Sequence, residues 1–151
     1  MKKICILAVC LCVLTACAQP IAPSEDIPER VALITPAEVG DAVGVTVGEP
    51  QFMWEEDVAY SSENGSVLAQ ISVKELTAAE FAAMRDSLSS SGTVIDAPHL
   101  GEVAFFDEAS CNLMVYSAGR AMNVCVTYAS HRPNDSLVAA RQLAALTLER
   151  W

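Results

Sequence analysis

Asn64-Gly65 commits the middle of this chain to reversing direction. Both central residues of a type I′ turn need φ > 0, and Asn-Gly meets that demand at the least steric cost. After the pair, Val67, Ala69, Ile71 and Val73 recur every second residue, the spacing that lines one face of a strand. Before it, Phe52 and Trp54, then Val58 and Tyr60, keep the same spacing, with the acidic run Glu55-Glu56-Asp57 between them. The pattern predicts a β-hairpin with one apolar face. A lone hairpin is marginal in water, so other elements must cover that face.

Two stretches supply helices for the purpose. Thr35-Pro36-Ala37-Glu38 has the form of a helix start, with Thr35 as N-cap, Pro36 in the first turn and Glu38 as reciprocal partner. Gly44 suits the end of that short helix, and Val39 with Val43 mark its buried side. Val45-Thr46-Val47 reads as a short strand, broken by Gly48 and Pro50. Thr77-Ala78-Ala79-Glu80 repeats the capping pattern and opens a helix through Leu88, with Phe81, Met84 and Leu88 as its inner stripe and Ser89 to Gly92 as a polar loop.

The C-terminal half predicts a second sheet segment. Strands are expected over 103–106, 111–117 and 120–128, the last two joined by a tight turn at Ala118-Gly119. A loop over 129–135 then leads to a helix over 136–150, capped by Asn134 or Asp135, with Leu137, Arg141, Ala144 and Leu148 recurring along it. The order is helix, strand, hairpin, helix, three strands, helix. This is an α+β domain: an antiparallel β-sheet of five to six strands packed against two or three helices.

The Ala118-Gly119 turn bears on the cysteines. A two-residue loop sets Leu113 against Val124 and Val115 against Met122, apolar on apolar, as a buried face requires. Cys111 then faces Val126, and Cys125 faces Asn112 on the other side of the sheet. A three-residue loop would set Cys111 opposite Cys125, but Leu113 against Asn123. The apolar match favours two free, buried thiols; a bulge at Gly119 would restore Cys111–Cys125 as a candidate disulfide.

The N-terminus has another logic. Lys2 and Lys3 precede an apolar run from Ile4 to Leu14. As a helix that run is roughly 16 Å long, about half the hydrocarbon thickness of a bilayer. It has the parts of a cleaved export signal. Leu14-Thr15-Ala16-Cys17 closes it and resembles the bacterial lipobox. That resemblance implies a diacylglycerol on the Cys17 thiol, cleavage before Cys17, and a lipid-anchored protein of the cell envelope. The site is the outer leaflet of the cytoplasmic membrane, or the outer membrane in a two-membrane cell. The chain then divides into a signal peptide (1–16), a lipidated N-terminus and tether (17–30) and a single domain (31–151). The tether carries Pro20, Pro23 and Pro28 and reads as a semi-extended spacer.

Charge narrows the partners. The formal net charge is −10, and loss of Lys2 and Lys3 makes it more negative. Arg30, Lys74, Arg85, Arg120, Arg132, Arg141 and Arg150 are scattered and form no basic stripe, so nucleic acid is not an expected partner. An acidic body is repelled by anionic headgroups. Attachment to the membrane is therefore expected through the lipid on Cys17, with an envelope protein or polymer as further partner.

Candidate chemistry is sparse. Glu55, Glu56, Asp57 and Glu63 lack the alternating ligands and placed glycine of a calcium loop. His99 and His131 stand in proline-bearing loop sequence, and no G-x-S-x-G elbow occurs. No cofactor or metal is expected. Phe52, Trp54, Glu55, Glu56 and Asp57 form a candidate ligand surface, although the two aromatics suit the core better. A non-enzymatic binding or accessory role is the leading expectation. The rival is an envelope hydrolase or transferase with an acidic site around Glu55–Asp57.

From Val31 onward the order of features resembles a family of small actinobacterial lipoproteins of unknown function. The matching residues are Leu33, Thr35, Pro36, Ala37, Glu38, Val39, Gly44, Trp54 and Gly101-Glu102-Val103-Ala104. The resemblance implies the same α+β layout and no particular activity. Members often carry a cysteine before the first helix and another just before the tryptophan; Ala32 and Met53 stand in those neighbourhoods here.

Overall fold

The structure, a computed structural model, describes residues 34–54 and 57–151, Trp54 by its backbone alone. The elements run α1 (Pro36–Val43), β1 (Gln51–Trp54), β2 (Asp57–Ser61), β3 (Val67–Glu75), α2 (Ala78–Ser91), β4 (Val94–Asp96), β5 (Val103–Asp107), β6 (Asn112–Ser117), β7 (Arg120–Tyr128) and α3 (Pro133–Glu149). Cys17, the tether, Glu55 and Glu56 lie outside the described residues.

The strands form one antiparallel seven-stranded sheet in the order β1-β2-β3-β7-β6-β5-β4. Two meanders, β1-β2-β3 and β4-β5-β6-β7, are joined through α2. They meet where β7 pairs with β3 from Val67↔Tyr128 to Glu75↔Arg120. The architecture is the expected α+β class, with seven strands rather than five to six. The two extra come from short segments. Gln51–Trp54 folds back on β2 instead of continuing into it, and Val94–Asp96 pairs with β5. Val45-Thr46-Val47 is not a strand; Val47 makes a single bridge to Ser62.

Strand alternation divides the sheet into two unlike faces. On the first, Val58, Tyr60, Ala69, Ile71, Leu113, Val115, Met122, Val124 and Val126 pack against α1 and α3 in the main core. On the second, Phe105, Tyr116 and Ala121 pack with Phe81 of α2 in a smaller cluster.

Each helix departs from expectation in one informative way. α1 has its capping box and ends at Gly44 in the left-handed region, as the sequence predicts. α2 runs on to Ser91, through the serines read as a loop. Ser90 Oγ donates to Asp86 O at 2.8 Å, so these hydroxyls bond within the helix. α3 starts at Pro133, with Arg132 as an N-cap whose side chain makes no capping bond. Its fully buried stripe is Ser136, Ala139, Ala140, Leu143, Ala144 and Thr147. Leu137 and Leu148 flank that stripe, half-buried. The alanines let the helix approach the sheet closely, and a reading weighted toward leucine misses them. Among the described residues no helix is long and apolar enough to cross a membrane.

The two hairpin turns differ in kind. Ala118 (φ +49) and Gly119 (φ +77) form the two-residue turn, and Leu113↔Val124 and Val115↔Met122 pair as expected. At Asn64-Gly65 the hairpin is present, but the turn is not type I′. Gly65 alone has positive φ (+66), and Gly65 N–H donates to Ser62 O at 2.9 Å. Asn64 instead uses its side chain: Oδ1 accepts from Ser66 N–H and from Ser62 Oγ, both at 3.0 Å. An Asx-type bond competes with the left-handed conformation and wins here.

Candidate functional site

Among the described residues, the second face of the sheet is only partly covered by helix. α2 lies over the β5–β6 side, while the β2–β3–β7 side carries small and polar side chains. Strand register sets them in rows. Asn112↔Cys125 continues into Cys125↔Gln70 and Gln70↔Ala59. Met114↔Asn123 continues into Asn123↔Ser72 and Ser72↔Asp57. Gln70 Nε2 donates to Asp57 Oδ2 at 3.2 Å. Leu68 is exposed beside them, and Gln70, Asn123 and Cys125 are half-buried. Asn112 Oδ1 and Asn123 Oδ1 are shut from solvent without a hydrogen-bond donor. Unmet buried acceptors are uncommon in folded proteins.

Of the expected ligand surface, Asp57 belongs to this strip. Trp54 pairs with Asp57 through the backbone, after a register shift in β1. Phe52 does not join them: it packs half-buried against the main core on the opposite face. Period-2 spacing cannot foresee the irregularity that separates Phe52 from Trp54.

The cysteines are free thiols on a register that pairs Cys125 with Asn112. Cys111 has left the strand alternation: it sits at φ +55 and is buried in the main core. Its Sγ lies 3.8 Å from His131 Nδ1 and 3.8 Å from Glu108 O. The thiol–imidazole contact has the elements of a nucleophile and a base, but Cys111 is only 4% exposed. Cys125 Sγ lies 3.7 Å from Ser110 O. Burial, aided by the nearby Cys111, pushes the Cys125 thiol up to about 11, away from the reactive thiolate. His99 is exposed in the β4–β5 loop. Among the described residues no three His, Cys, Asp or Glu side chains are grouped to hold a metal ion.

A cluster invisible to sequence spacing lies at the other end of the first face. Glu38 takes both guanidinium nitrogens of Arg150, Nη1 at 3.0 Å and Nη2 closer. Tyr60 Oη donates to Ile34 O at 2.6 Å. The Arg150 bonds, then those from Thr35, hold the Glu38 carboxyl down to about 2. Burial, then the Glu38 charge, pushes Tyr60 up to about 12. These groups clasp the start of α1 to the end of α3 and to β2.

Open depressions surround the sheet. One of about 690 Å³ lies beside α1, against Gly40, Asp41 and Thr46. Another, about 460 Å³, lies between the β6–β7 turn and the end of α3, where the Arg120 guanidinium sits 5.8 Å from the Trp151 ring centroid. No family model matches this chain, and neither curated proteins nor solved structures give a match.

Proposed function

We propose that the chain is a lipid-anchored envelope lipoprotein whose domain has a non-enzymatic binding or accessory role. The anchor rests on Leu14-Thr15-Ala16-Cys17 at the end of a short apolar run; two acyl chains suffice for stable attachment. The observation that carries the binding role is the part-covered second face. There Ser61, Leu68, Gln70, Cys125 and Thr127 share one side of three adjacent strands that α2 leaves open. Among the described residues Asp57 and Lys74 are the charges at its margin, and the hydroxyl, amide and thiol groups between them suit a polar partner, an envelope protein or polymer.

Cys17→Ala tests the anchor. The variant is expected to leave the membrane fraction, on flotation through a density gradient, with the circular dichroism of the folded domain retained. Firm membrane binding by that variant after signal cleavage would overturn the lipid as the attachment. Photo-crosslinking from Leu68 and Thr127 in intact cells tests the binding role. A discrete adduct is expected, and crosslinks from the outer face of α3 in its place would overturn the assignment of the strip.

A further inference from the structure

α2 is attached unlike the other long helix. α3 buries Ser136, Ala139, Ala140, Leu143, Ala144 and Thr147 completely, whereas α2, fourteen residues long, buries Phe81 alone. Phe81 stands 5.3 Å from Phe105 and 5.4 Å from Tyr116, ring centroid to ring centroid. Met84 and Leu88 add half-buried contacts. The polar link is an ion pair, Arg85 to Asp96, whose side chains are 40% and 72% exposed. Water-exposed pairs of this kind hold weakly.

The two ends are fastened where the middle is not. Leu76 N–H donates to Gly119 O at 3.1 Å just before the helix, and Glu108 N–H donates to Thr93 O at 3.2 Å just after it. Between those flanks one aromatic plug is the only side chain α2 buries, so opening has to withdraw Phe81 and either turn the helix about its two fastened ends or release one of the flanking bonds.

What lies underneath is a mixed surface. Phe105, Tyr116 and Ala121 are buried and apolar, and Met114 extends them. Asn123 pairs directly with Met114, and Asn112 precedes Met114 by one turn of strand alternation on the same face. Both asparagines carry the unmet acceptors, Asn123 Oδ1 and Asn112 Oδ1. An apolar bed bordered by two acceptors without donors is incomplete in the closed state.

We propose that α2 is a lid over a cryptic binding bed, and that this bed takes a neutral apolar ligand carrying a hydrogen-bond donor. The apolar body would rest on Phe105, Tyr116 and Ala121, with the donor toward Asn123 and Asn112. The inference concerns the domain alone and holds whether or not Cys17 is lipidated. Opening is a population shift: ligand binds the lifted state, so apparent affinity is scaled by the fraction in which the lid is up.

The test uses the full chain in detergent, with N-phenyl-1-naphthylamine as probe, a neutral apolar amine with one N–H. Hydrogen exchange should show residues 78–91 opening at least about 100-fold more readily than α3 and β7, in a step smaller than global unfolding. Phe81→Ala should abolish the remaining protection of α2 and leave that of α3 unchanged. Probe fluorescence, read against the same detergent without protein, should saturate and gain at least about tenfold in apparent affinity in Phe81→Ala. If circular dichroism shows that variant unfolded, Phe81→Leu and the wild-type exchange pattern decide. Equal protection of α2 and α3, or probe binding that is absent or equal in the two proteins, would overturn the proposal.

Discussion

Gly101 offers a prediction in which two separate effects can be resolved. It lies in the β4–β5 loop at φ +56, where an L side chain is strained. A Cβ added there would stand 2.6 Å from Tyr116 O, 2.9 Å from Val115 Cγ1 and 3.2 Å from Ser117 Cβ. The carbonyl belongs to the backbone of β6 and is held by Glu102 N–H at 2.9 Å, so it cannot retreat cheaply. The left-handed conformation costs about 1–2 kcal/mol for a residue with a Cβ. Overpacking against a fixed neighbour adds about 1–3 kcal/mol. Gly101→Ala should therefore destabilise the domain by about 2–5 kcal/mol. Gly65 (φ +66) and Gly44 (φ +78) are matched controls, because a Cβ at either meets nothing within 4 Å. Their alanine variants should lose the strain alone, about 1–2 kcal/mol. Urea unfolding of the three variants, with slopes unchanged, measures the difference. If Gly101→Ala and Gly65→Ala agree within about 0.5 kcal/mol, the close approach of the loop to Tyr116 O contributes nothing and the steric reasoning fails.

Two further perturbations address the clasp around α1. Tyr60→Phe removes the donor to the buried Ile34 carbonyl and should cost about 1–2 kcal/mol in urea unfolding; an unchanged midpoint would mean that water replaces the hydroxyl. Glu38 gives a pH dependence of definite sign. Its carboxyl is held at about 2 in the fold against an ordinary 4.5, so the unfolded chain binds that proton more readily. Its contribution is present above the ordinary value and is lost as pH falls from there through the folded value. Melting temperature should decline on acidification below about pH 5, and Glu38→Gln should flatten part of that decline. Superimposable wild-type and Glu38→Gln profiles would show that the Arg150 pairing does not stabilise the fold.

Local chemistry made most of the architecture legible. Both threonine-led capping boxes, the Gly44 end of α1 and the Ala118-Gly119 turn depend on residues within a few positions of one another, and each forms as its spacing implies. The register of β6 on β7 followed from matching apolar with apolar, a test that needs no knowledge of distant partners. What escaped depends on contacts made from afar. Val94–Asp96 has no strong alternation and becomes a strand because β5 offers an edge. Gln51–Trp54 turns back on β2, although its spacing alone is compatible with running on.

The same distinction explains why the candidate site was barely visible. The acidic run stands out because its charges are adjacent in sequence, yet Asp57, the described member, is occupied by Gln70 from the next strand. The features with functional promise are differences in coverage: one sheet face sealed by α1 and α3, the other closed at one side by a helix with a single buried residue. The sequence of α2 has a sound cap and an apolar stripe, so it reads as an ordinary packed helix. Its weak attachment is apparent only when Phe81 is seen to be its one buried side chain, with Met84 and Leu88 half-buried at the margin. Helix formation is decided by cap and period, but helix retention is decided by buried area. A helix that satisfies the first condition fully and the second sparingly is the element from which a lid can be made.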